Sequence, residues 1–184
     1  MTSWGLPETA VIGGIEYVIN VDFRDVLEVI EIMQDPEKDK RTRMYVALAL
    51  FYEDFDRMPE HCYQEAAEWM VDFIDLGEPN DGRPQPKTID WAQDQMMIAA
   101  EVSKVAGTEI RALEFLHWWT FIGYFYAIGE GQLSFIVSIR EKLRKGKKLE
   151  KHEREFYRNN RNRVDFQKKL TNTEQQTLDK WLGK

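Results

Sequence analysis

Apolar positions recur along most of this chain at intervals of three and four, the period of a helix with one face turned to a core. The exception lies near the start, where residues 8–19 read ETAVI, Gly13-Gly14, IEYVI. A glycine pair between β-prone runs predicts a tight hairpin whose turn needs positive φ angles. Helices are predicted across 20–76. Asn20 would cap the first, with a stripe of Phe23, Val26, Leu27 and Ile30 ending before Asp35-Pro36. Met44, Leu48, Phe51, Tyr52 and Phe55 mark the second. The third has Pro59 in its first turn, then Cys62, Ala66, Trp69, Phe73 and Leu76 before Gly77.

Residues 77–88, GEPNDGRPQPKT, hold three of the six prolines and turn-forming Asn-Asp-Gly, and are predicted to be an exposed loop. Core helices are expected across 89–145. Trp91, Ile98, Val102 and Val105 open that region, and Leu133, Ile136, Val137 and Leu143 close it. Between them Leu116 to Gly129, LHWWTFIGYFYAIG, is the densest aromatic stretch: seven of 23 aromatics lie between Phe115 and Tyr126. Apolar residues on every side of that segment predict a central helix buried all round. It is too short for a bilayer, which needs about 20 apolar residues, and it has Arg111, Glu114 and His117 within or beside it. Residues 146–184 read as a basic helical stretch to about Arg163. A short last helix follows, with Thr171 and Glu174 as a capping box and Leu178, Trp181 and Leu182 as its apolar side. The expected fold is mainly α, one helical-bundle-like domain over 1–184 with a short N-terminal β-hairpin.

The motif DWAQDQMMIAA beginning at Asp90, then LHWWTFIGYF, then FIVSIR ending at Arg140 follow one another at the intervals of a known family. The chain resembles the bacteriophage gene product fifteen family of tailed phages and prophages. Ala106-Gly107-Thr108-Glu109-Ile110 departs from the Tyr-Gly-Ile-Asp-like turn expected there. Members of that family are typically encoded between the major tail protein and the tape-measure protein. The resemblance implies a tail assembly protein, a chaperone that binds the tape-measure protein, the tail tube protein, or both, in the cytoplasm of the host bacterium. A structural virion component, such as a tail or connector protein forming a homo-oligomer, is the alternative. A nucleic-acid-binding module acting through residues 140–169 is a second.

The 184 residues suffice for one sizeable core. A single cysteine, Cys62, gives no internal disulfide, and the start MTSWGLPE lacks the pattern of a signal peptide. The net charge of −7 conceals a polarity: −15 over residues 1–139, +8 over 140–169 and zero over 170–184. Such a split can draw the two regions together, join molecules head to tail, or recruit a charged partner.

No nucleophile elbow, Walker loop, HExxH or Cys-x-x-Cys occurs, and the chain reads as a non-enzyme with no cofactor or metal. His61 and Cys62 are adjacent, but neighbours on a helix point about 100° apart and no third ligand stands at metal spacing. Asp94, His117 and Arg140 sit among apolar helix positions and are expected to form a polar core. Asp94 would pair with Arg140, with His117, or with an indole N–H of Trp118 or Trp119. A catalytic carboxylate is the functional alternative. Partner contact is assigned to Arg144, Lys147, Lys148, Arg154, Arg158, Arg161 and Arg163, with Tyr124 and Tyr126 as aromatic handles. Glu150, Glu153 and Glu155 interrupt the basic charge, which favours a solvated, internally paired face over RNA or DNA binding.

Overall fold

The computed structural model describes residues 5–77, 86–167 and 180–181. The chain is mainly helical, with a two-stranded antiparallel hairpin at its start. Its contacts group it into two compact units. One comprises residues 1–85 and 102–127, the other 86–101 and 128–184.

In the first unit, β1 (Thr9–Ile12) pairs with β2 (Ile15–Val18) through a two-residue turn. Gly13 and Gly14 have φ of +57° and +81°, a region that costs an L side chain about 1–2 kcal/mol. Space adds a second constraint at Gly13, where a Cβ would stand 2.8 Å from Cys62 Sγ. Ala10, Ile12 and Tyr17 face the core, while Val11 and Val18 lie on the solvent side.

Helix α1 (Phe23–Met33) starts later than Asn20 predicts. Its N-cap is Asp22, whose carboxylate accepts from Arg24 N–H at 3.0 Å and from Leu116 N–H at 2.9 Å. Asn20 instead donates its side-chain amide to Leu50 O at 2.6 Å. Helix α2 (Lys40–Phe51) stops short of the expected Tyr52 and Phe55: Tyr52 is extended and bridges Ile19, and Phe55 lies in a 3₁₀ turn, Phe55–Arg57. Pro59 likewise precedes a 3₁₀ turn, Glu60–Cys62, and α3 (Tyr63–Ile74) follows it. The buried residues Val26, Val29, Leu48, Phe51, Ala66, Met70 and Phe73 form the centre. Tyr52 donates its hydroxyl to Ala66 O at 2.9 Å, which satisfies its one buried polar group.

Helix α4 (Gln95–Ala106) is shared, its first residues belonging to the second unit and its last to the first. It begins four residues after Trp91, because residues 90–93 form a turn in which Asp90 accepts from Ala92 and Gln93 N–H. The aromatic segment is also shorter than predicted. Leu116 and His117 are extended and pair with residues 21–23, through Phe23 N–H to Leu116 O and Trp118 N–H to Val21 O, so α5 runs only over Trp118–Tyr126. It is not buried all round: Trp118, Phe121 and Ile122 are, but Gly123 is exposed and Tyr126 is 67% exposed.

The second unit contains the start of α4, then α6 (Gln132–Arg144), α7 (Lys151–Asn159) and α8 (Arg161–Val164). The basic stretch predicted from 146 to about 163 is therefore two helices, α7 and α8, rather than one. Asn160 separates them, and Gly146, at φ +64°, stands between α6 and α7. Ile136, Ile139 and Val164 make the core of this unit, with Met97, Phe135, Leu149, Phe156 and Tyr157 packed on them. The predicted capping box at Thr171 and Glu174, and most of the loop predicted at 77–88, lie outside the described residues.

Candidate partner surfaces and the buried polar sites

Arg140 lies on the inner face of α6, one residue beyond the buried Ile139, and its side chain is 4% exposed. Nη1 and Nη2 donate to the two oxygens of Asp94 at 2.6 and 2.9 Å, a bidentate pair. Nη1 also reaches Thr88 O at 3.1 Å, Nη2 reaches Arg163 O at 2.8 Å, and Nε reaches Val164 O at 2.7 Å. All five donors of the guanidinium are thus used. Its face lies 4.3 Å from the centre of the Phe166 ring, a cation–π contact. Asp94 Oδ2 accepts in addition from Asp90 N–H at 3.0 Å.

Gln93 extends the same network. Its amide donates to Asp165 O at 2.9 Å and accepts from Gln167 N–H at 3.0 Å. One buried ion pair therefore ties residues 88–94, α6 and the 163–167 segment together. With every hydrogen-bonding position of the guanidinium occupied by protein, the arrangement is a structural clamp.

His117 belongs to the first unit and serves a different purpose. Its Nδ1 accepts from Trp119 N–H at 3.0 Å, which caps α5, and its Nε2–H is directed to Pro7 O at 3.1 Å. The indoles of Trp118 and Trp119 donate to Ile74 O and Phe73 O, each at 3.0 Å. The three partners open to Asp94 in the sequence thus separate, and Arg140 is the one that meets it.

A second buried carboxylate escapes the sequence reading. Glu153 on α7 is 4% exposed, accepts from Lys142 Nζ at 2.5 Å and from Glu150 N–H at 2.9 Å, and closes a capping box with Glu150. The Lys142 ammonium and the capping N–H hold its pKa below the ordinary carboxylate value. Glu150-x-x-Glu153 at a helix start was the available signal.

The residues assigned to partner contact fall in both units. Arg144 ends α6, Lys147 and Lys148 follow Gly146, Arg154 and Arg158 lie on α7, and Arg161 and Arg163 on α8; all are exposed. Arg144 is 3.9 Å from Glu141, and the Arg161 guanidinium stands 5.3 Å over Tyr157. Arg163 lends its carbonyl to Arg140 while its side chain stays in solvent. Tyr124 and Tyr126 belong to α5 in the first unit, the former half-buried and the latter exposed. Phe115, at 56% exposure just before α5, is a further exposed aromatic residue that the sequence reading did not single out.

Among the described residues no cluster of His, Cys, Asp and Glu is arranged to hold a metal, and no helix is long and apolar enough to cross a membrane. The family model for the bacteriophage Gp15 protein matches residues 5–166. The chain belongs to that family. The match spans both units and includes the clamp, the aromatic helix and α8. Membership places the protein among phage structural and morphogenesis proteins. No curated protein and no solved structure matches the chain.

Proposed function

We propose that this protein is a tail assembly chaperone that binds the tape-measure protein in the cytoplasm of an infected bacterium and gives way to tail tube subunits. The observation that carries the reading is membership of the bacteriophage Gp15 family over residues 5–166. The resemblance implies a place beside the tape-measure protein in tail morphogenesis.

The surface supports that role in two respects. Val11, Val18, Phe115 and Tyr126 are large apolar or aromatic side chains left 44–67% exposed on the first unit. Amphipathic helices bind through such side chains. That unit also carries 21 Asp and Glu against 9 Lys and Arg, a net charge of −12, which keeps a complex with an aggregation-prone helix in solution.

Co-expression with the protein encoded immediately downstream tests the proposal. Affinity capture of that protein, together with a rise in its soluble fraction, is the expected result. Neither capture nor rescue would overturn the chaperone reading, and detection of this chain in purified virions would establish a structural component instead.

A further inference from the structure

Helix α3 carries Glu65, Glu68 and Asp72, all exposed and spaced three and four residues apart, so they form one row along its solvent side. No lysine or arginine occurs anywhere from Met58 to Gly82. Glu65 accepts from Gly13 N–H and Glu68 from the Gln64 amide, and none of the three has a cationic partner among the described residues.

Helix α7 presents the opposite charge at the same spacing. Lys151, Arg154 and Arg158 are exposed, while Glu153, Phe156 and Tyr157 turn toward the core of their unit. The row runs beside Glu155, the one acid on that face. None of the three cations lies within ion-pair distance of a carboxylate among the described residues; Arg154 donates only to Leu149 O, at 3.2 Å.

Each row runs over eight residues, seven helical steps or about 10 Å of helix. Within each, like charges stand four residues apart, Glu68 with Asp72 and Arg154 with Arg158, a placement that destabilises an isolated helix. Both rows are therefore self-repelling, and they match in length and period while carrying opposite charge. The units that carry them have net charges of −12 and +5.

We propose that the protein self-associates head to tail, the basic row of α7 in one copy docking on the acidic row of α3 in the next. The contact joins two different surfaces, so it propagates, closing into a ring or running on as an open chain. Other copies are favoured over nucleic acid because the acidic row supplies a partner of the right spacing on the same molecule. This inference is independent of the chaperone reading, and its test uses the purified full chain alone.

Sedimentation velocity over a concentration series decides it. At 50 mM salt the wild-type chain is expected to associate with rising concentration, and 500 mM salt should weaken the association constant by at least about tenfold, since exposed ion pairs are screened. Arg154→Glu/Arg158→Glu should leave a monomer, as should Glu68→Lys/Asp72→Lys, each with an unchanged far-ultraviolet circular dichroism spectrum. The four substitutions combined in one chain restore complementarity and should restore association. A wild-type chain that stays monomeric at every concentration overturns the proposal. So does association that survives either reversal, or a combined variant that remains monomeric. Binding of a short oligonucleotide by the α7 row without self-association would assign that row to nucleic acid and overturn it as well.

Discussion

Arg140 shows how a single side chain can organise a unit. Its five N–H groups reach one carboxylate and the carbonyls of Thr88, Arg163 and Val164. Removing one partner of a buried pair costs about 3–5 kcal/mol, because the other charge stays buried without compensation. Arg140→Met should therefore destabilise the protein by an amount in that range, measured by urea unfolding. Arg140→Met/Asp94→Leu should recover part of the loss, leaving a coupling of about 1–3 kcal/mol in a double-mutant cycle. Additive effects of the two single changes would show that the pair does not act as a unit. The inward direction of Asp94 and Arg140 was legible in the sequence, since each stands three or four residues from apolar positions of a helix. Their pairing was not, because Asp94 is remote from Arg140 in sequence and only tertiary placement separates Arg140 from His117 as its partner. His117 also reads as inward, yet it is a cap, and nothing in the periodicity distinguishes the two roles.

Helix boundaries show the same division between local and tertiary causes. The hairpin, the helical stripes and the stop at Gly77 follow from local chemistry and stand close to where the sequence places them. The starts of α1 and α5 do not, because each is fixed by the other: residues 21–23 pair with residues 116–118, so neither segment can coil earlier. In the second unit, Glu153 joins α7 to Lys142 on α6. Its pKa in the folded protein lies below its ordinary value of 4.5, so the stabilisation it gives is fully present above about pH 4.5. That stabilisation is lost as pH falls through the depressed folded value. Glu153→Gln should be less stable than wild type at pH 7. Below pH 4.5 the gap should narrow, the wild type losing stability more steeply with falling pH. Urea midpoints collected from pH 7 down to pH 3 check this. Parallel curves would mean that Glu153 titrates alike in the folded and unfolded chain.

Over the whole molecule, charge polarity is the property the sequence displays most openly; of the exposed aromatic residues it marks Tyr126 as a handle and leaves Phe115 unmarked. Hydropathy counts Phe115 and Tyr126 with Trp118 and Phe121, since all four sit in one aromatic run. In the fold they diverge because α5 buries one side only: Trp118 and Phe121 are 1% exposed, while Phe115 and Tyr126, before and at the end of the helix, reach solvent. Surface positions of this kind contribute little to stability, whereas a core aromatic cut to alanine costs about 3–5 kcal/mol. Phe115→Ser/Tyr126→Ser should therefore unfold within about 1 kcal/mol of wild type, and Trp118→Ala should fall well below it. If the chaperone reading is right, the double serine variant should lose most of its capture of the tape-measure protein while remaining folded and soluble. Capture at the wild-type level would move the contact off the α5 ends and toward the hairpin face around Val11 and Val18. There the corresponding serine substitutions would have to abolish binding for an apolar surface of the first unit to remain the site.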